Sequence, residues 1–215
     1  IDELQIALDY VSESKYLLEV YPDPVSYRQA AYDPDRQPFE NVNHNMGAIA
    51  WTGDYQSYYR AVKTRLAELL LEDMFYGRGS RRSFQNRALM HLPRWYYDGL
   101  ASFLGEGWWP EDEARLRSFA KNPAIGVLNE RDSELGHTLR KSIWYFIFRR
   151  YGPSKLQEIV YMTRLTRSAD GGMVAVIGMD VADFSRYWED FITNQLQDER
   201  ALPEKLTKLD LIKSN

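Results

Sequence analysis

The chain has 215 residues, a formal net charge of -4 at pH 7 and a sequence pI near 5.5. Hydrophobic residues make up 44% and charged residues 27%, which is typical of a globular protein large enough to bury a real core. The charge balance is acidic, and no cluster of Lys and Arg alternates with aromatic residues. Both features argue against nucleic acid as a partner.

The sequence contains no candidate membrane helix. Its longest apolar runs, residues 142–148 and 172–179, are far shorter than the roughly 20 residues that span a bilayer. The absence of cysteine excludes disulfides, thiolate metal sites and a cysteine nucleophile. Because the chain begins at Ile1 and no leader pattern follows, we expect a processed or trimmed piece, with any signal or anchor outside it.

The N-terminal quarter combines one helix with short strands. Apolar residues at helical spacing predict a helix over residues 1–18. β-favouring pieces at 18–21, 26–32 and 47–52, separated by Pro, Asp, Asn and Gly, predict a small sheet. Residues 33–45, rich in Pro and Asn, predict an irregular surface loop.

Helices are predicted for most of the remaining chain, where prolines, glycines and acidic first turns mark their ends. They cover residues 57–75, 93–104, 110–119, 138–151, 153–166, 171–176 and 181–197. The pattern therefore indicates an α+β, mostly helical fold with a small N-terminal sheet.

Residues 93–101, Pro-Arg-Trp-Tyr-Tyr-Asp-Gly-Leu-Ala, resemble the second zinc-ligand helix of gluzincin-type peptidases, which runs Pro-x-Trp-x-x-Glu-Gly-x-Ala. Upstream, residues 64–68 stand where that family has His-Glu-x-x-His, two imidazoles and a general base on one helix face. Gly99 costs about 1 kcal/mol in a helix, and the resemblance implies that it admits the first ligand helix. The degenerate motif positions are Thr64, Arg65, Glu68 and Asp98.

The rest of the chain is similar to the same family. Residues 141–152 resemble its post-site helix ending in Tyr-Gly, and residues 178–191 resemble its closing helix with Trp188. The resemblance implies one zincin-like, peptidase MA-like domain. Its parts are an N-terminal helix and sheet (1–56), degenerate active-site helices (57–104) and a C-terminal helical subdomain (105–198), followed by a tail or linker (199–215).

The implied function is a catalytically inactive pseudo-peptidase that binds a protein or extended peptide in a cell-envelope complex. Such domains occur in exported, Bacteroidota-like envelope proteins, often before a β-propeller, so an extracytoplasmic location is implied. No catalytic residue, metal or cofactor is expected. One alternative is an active hydrolase of this fold with an atypical site. A carboxylate pair of Glu68 and Asp98 would be suited to general acid and base work, although Arg65 would hold both carboxylates ionised. Another is a glycan or peptidoglycan binder.

Several features keep two interpretations open. One set of side chains on the 57–75 helix forms either a solvated polar face with an i,i+3 ion pair or the wall of a remnant cleft: Thr64, Arg65, Glu68 and Glu72. In the cleft, Arg65 would bridge Glu68 and Asp98. Trp108 and Trp109 either pack locally or form a recognition surface. The three histidines, His44, His91 and His137, occupy separate segments without an i,i+4 partner.

Overall fold

A computed structural model describes residues 1–31, 45–77, 89–90, 92–120 and 134–195. The described part is mostly helical with one two-stranded sheet, which confirms the α+β, mostly helical class. The chain divides into an N-terminal unit, Ile1–His91 with Leu104–Glu106, and a C-terminal unit, Leu92–Phe103 with Gly107–Asn215. None of the described helices is long and apolar enough to cross a membrane.

The N-terminal unit contains the small sheet expected from the sequence. Strand β1 (Leu17–Tyr21) pairs in parallel with β2 (Met46–Ala50), first residue to first and last to last. Helix α2 (Pro24–Ala31) follows β1 and contacts both strands, and α3 (Tyr55–Tyr76) follows β2 and packs on it. The C-terminal half of α3 supplies much of the buried apolar core of this unit.

The first helix is shorter than the sequence predicts. Helix α1 covers Asp2–Leu8, not residues 1–18, because Asp9 adopts a left-handed conformation with φ 48° and ends it. Polar side chains draw the following segment away from helical geometry, since the hydroxyls of Ser12 and Ser14 bind the carboxylate of Asp73 on α3. Apolar spacing alone did not reveal this competition.

The strand predicted at residues 26–32 is wrong, because the described residues of that stretch belong to α2. Asp23 causes the difference: its Oδ1 atom accepts the backbone N–H groups of Val25 at 2.8 Å and Ser26 at 2.9 Å. Such an N-cap satisfies two donors that a strand start would leave open. The loop predicted over 33–45, apart from its last residue, and the tail at 199–215 lie outside the described residues.

Helices form the described part of the C-terminal unit, as expected. They are α4 (Arg94–Glu106, whose last three residues belong to the N-terminal unit), α5 (Pro110–Ala120), α6 (Glu134–Tyr151), α7 (Pro153–Thr166), α8 (Ala169–Ile177) and α9 (Val181–Asp190), followed by a π-helical turn (Phe191–Gln195). Residue types at the starts explain their positions, since prolines open α5 and α7, and Ser168 and Asp180 cap α8 and α9.

Buried aromatic residues with bonded polar tips tie these helices together. The Trp144 indole N–H donates to the Tyr96 carbonyl oxygen at 3.0 Å, and the Tyr96 hydroxyl donates to Thr163 Oγ1 at 2.9 Å. The Trp188 indole N–H donates to Ser142 Oγ at 3.0 Å. Each bond crosses from one helix to another and satisfies a polar atom inside the core, so it specifies which helices meet as well as stabilising them.

Candidate functional site

Thr64 lies on α3, at the position that the resemblance gives to the first zinc-binding histidine. The end of α4 reaches this point, since a Cβ atom at Gly105 would stand 2.3 Å from Thr64 Cα and 2.5 Å from its backbone nitrogen. Only glycine permits so close a backbone approach. The Thr64 hydroxyl is buried and makes no hydrogen bond within the described part of the chain. This position therefore serves helix packing.

Arg65 extends from α3 onto strand β2. A Cβ atom at Gly47 would lie 2.5 Å from Arg65 Nε and 2.8 Å from Cγ, so the strand offers bare backbone to the arginine stem. The Arg65 guanidinium donates to the carboxylate of Glu68, one turn further along α3, at 2.6 Å. The expected Arg65 and Glu68 pair is thus present. The further link from Arg65 to Asp98 stays a prediction.

Asp98 lies on α4 and pairs within its own helix, because Arg94 Nε donates to its carboxylate at 3.0 Å. The neighbouring Gly99 packs against α6, where a Cβ atom would meet the Arg140 carbonyl oxygen at 2.4 Å. The structure thus gives Gly99 a packing contact with α6, and its approach to the first ligand helix stays a prediction. The close contact with α3 is made by Gly105, two turns further along the same helix.

The described residues contain no group of three or more His, Asp or Glu side chains that could hold a metal ion. His137 lies half-buried on α6. His44 and His91 lie outside the described residues, so their surroundings stay open. Of the degenerate motif positions, the structure joins Arg65 to Glu68 and gives Asp98 a separate partner.

Trp108 and Trp109 are both half-buried. Trp108 stacks on Tyr145 of α6, with ring centroids 4.3 Å apart and 7° between the ring planes. The Lys141 ammonium group lies 5.9 Å from the centroid of the Trp108 ring. Trp109 contributes its backbone N–H, which donates to Asp112 at 3.0 Å and anchors the start of α5. Trp108 thus has a packing role, and a recognition role for the pair stays a prediction.

The two tryptophans differ in a way that mutation can measure. We expect Trp108→Ala to lower the free energy of unfolding by about 3 kcal/mol, because it removes a stacked ring. Trp109→Ala keeps the backbone N–H that binds Asp112, and if the Trp109 ring serves recognition its removal should cost about 1 kcal/mol. Urea denaturation of the two single variants gives both values. Equal losses would show that Trp109 packs as Trp108 does, and would remove it as a recognition residue.

An aromatic cluster that sequence reasoning did not single out lies where β2 leads into α3. Trp51 contacts the rings of Tyr55 and Tyr58, at centroid distances of 5.4 and 5.2 Å. Tyr55 is 82% exposed and Tyr59 is 59% exposed. Together with Asp54, which caps α3, these four residues form the surface named here the α3 aromatic patch. The sequence did carry a signal for this surface. More aromatic residues surround the capping aspartate than one buried helix face can hold.

A buried carboxylate on α3, Asp73, is held by hydroxyl groups. Ser12 Oγ donates to Asp73 at 2.5 Å, and it accepts from the Tyr16 hydroxyl at 2.8 Å and the Ser14 backbone N–H at 3.0 Å. Burial raises the pKa of Tyr16 to about 12, so this residue remains a donor at neutral pH. The one proton and both lone pairs of Ser12 are engaged, which argues against a serine nucleophile. The cluster fixes the segment before β1 to α3.

The chain was compared with protein-family models, with curated proteins and with solved structures. None of the three comparisons found a match.

Proposed function

We propose that this chain is a catalytically inactive, zincin-like peptidase domain that binds or scaffolds proteins in the cell envelope. The observation that carries the proposal is the ion pair between Arg65 and Glu68, held at 2.6 Å with the arginine stem lying on Gly47. By the resemblance, these two positions belong to the general base and the second zinc-binding histidine. A mutually neutralised pair takes their place.

The chemistry of the pair supports a non-catalytic role. A guanidinium stays protonated throughout the physiological range, so Arg65 cannot accept a proton from water. Its positive charge also opposes a divalent cation next to Glu68, because like charges repel most strongly where burial limits screening. Thr64 would be a weak zinc ligand, and the backbone of Gly105 packs directly against it. The envelope location and the protein partner rest on the resemblance.

Zinc content tests this proposal. We expect the protein, incubated with Zn²⁺ and then dialysed against metal-free buffer, to retain well under one zinc per chain by elemental analysis. Glu68→Gln is the control, since loss of this carboxylate lowers the zinc content only if the site binds metal. One zinc per chain that falls in Glu68→Gln, together with peptide cleavage blocked by a chelator, would establish the active hydrolase instead.

A further inference from the structure

The α3 aromatic patch is an unusual surface for a helix start. Its two most exposed rings, Tyr55 and Tyr59, are one turn apart on α3, about 6 Å along the helix axis. Trp51 and Tyr58 are half-buried. Within residues 51–60 the exposed large apolar side chains are tyrosines only, so the surface offers aromatic faces without aliphatic bulk.

The exposed charge at this surface is negative. Asp54 is fully exposed, and the hydrogen bond from the Ser57 backbone N–H lowers the pKa of its carboxyl group, which therefore stays ionised at neutral pH. Arg60, on the same helix, is half-buried, and its charge also lowers this pKa. A partner approaching the exposed rings thus meets a carboxylate beside them.

We infer that the α3 aromatic patch binds an arginine-bearing segment of a partner protein, an inference that rests on the proposed protein-binding function. A guanidinium group is planar and weakly hydrated, so it can stack on a tyrosine face while its N–H groups reach a carboxylate. Tyr55 and Tyr59 supply the faces and Asp54 supplies the acceptor. Trp51, in edge contact with Tyr55, restrains that ring before binding, which lowers the entropy lost in the complex.

Other partner chemistries fit this surface less well. An acidic segment would be repelled by Asp54, and an aliphatic helix face would find no groove of Leu, Ile or Met side chains among the exposed residues of 51–60. A neutral oligosaccharide could use the rings but would gain nothing from the charge. The charge of the ligand is therefore the property that an experiment should vary.

The test uses the full chain and two synthetic peptides, Gly-Arg-Gly-Arg-Gly and its analogue with citrulline in place of arginine, titrated by calorimetry at low salt. Citrulline keeps the shape of arginine and removes its charge. We expect the arginine peptide to bind at least about tenfold more tightly than the citrulline peptide. Tyr55→Ala combined with Tyr59→Ala should weaken binding by about tenfold or more, and Asp54→Asn, which still caps the helix, by a few fold.

The matched control is Tyr161→Ala, which removes a 53% exposed tyrosine from α7 and should leave the affinity unchanged. The inference is overturned by equal binding of the two peptides, by an equal loss in Tyr161→Ala, or by no binding at millimolar peptide. Displacement of the arginine peptide by a neutral hexasaccharide would also overturn it. A zinc-free protein that does not bind the peptide would contradict this inference alone and leave the non-catalytic role standing.

Discussion

Replacing Lys141 with Met is expected to lower the free energy of unfolding by about 3 to 5 kcal/mol, measured by urea denaturation. The Lys141 ammonium group lies 2.8 Å from the Asp112 carboxylate, and the two side chains are only 3% and 5% exposed. Removing Lys141 leaves a buried carboxylate without an opposite charge beside it. Asp112 also accepts the Trp109 backbone N–H, so a shift of the Asp112 carboxylate would disturb the start of α5.

Two further variants separate burial from simple charge loss. Lys155→Met breaks the ion pair with Glu158, whose side chains are 44% and 50% exposed, and should cost less than about 1 kcal/mol. Adding Asp112→Asn to Lys141→Met should recover part of the loss, because the amide removes the charge and still accepts the Trp109 N–H. Similar small losses in Lys141→Met and Lys155→Met would show that Lys141 reaches water.

Local signals in the sequence account for most of the helices. The predicted bounds of α7 agree with the structure, because Pro153 opens it directly after Gly152. The errors occur where polar side chains compete with the apolar pattern. Asp23 caps a helix inside a stretch with strand character, and Asp9 ends α1 while apolar residues continue beyond it. Apolar periodicity carries no information on the Asp23 side-chain bonds or on the left-handed backbone at Asp9.

The candidate site was predictable only where its contacts are local. Arg65 and Glu68 are three residues apart on one helix, so their spacing alone predicts the ion pair. The contact of Gly105 with Thr64 joins residues far apart in sequence. The stack of Trp108 on Tyr145 does the same. Such contacts depend on which helices pack together, and a single sequence read by itself does not specify that choice.

Replacing Gly99 with Ala is expected to cost about 3 kcal/mol in the free energy of unfolding, the upper end for overpacking a core. The new methyl group would lie 2.4 Å from the Arg140 carbonyl oxygen and 2.8 Å from its carbon, both backbone atoms of α6. Relief requires α4 and α6 to separate, which would stretch the 3.0 Å bond from Trp144 to the Tyr96 carbonyl. Near-ultraviolet circular dichroism should therefore change along with the denaturation midpoint.

The comparison with Gly171→Ala isolates the effect of a rigid neighbour. There the added methyl group meets Thr166 at 2.5 Å from Oγ1 and 2.7 Å from Cβ, so relief requires a shift of the exposed last turn of α7 but no separation of two buried helices. We expect a loss of about 1 kcal/mol at that site. Alanine is by itself about 1 kcal/mol better than glycine inside a helix, so a Gly99→Ala protein about 1 kcal/mol more stable than the parent would follow propensity alone. That result would mean that α4 and α6 do not approach at Gly99, and that the glycine of the Asp98-Gly99 pair has no packing role.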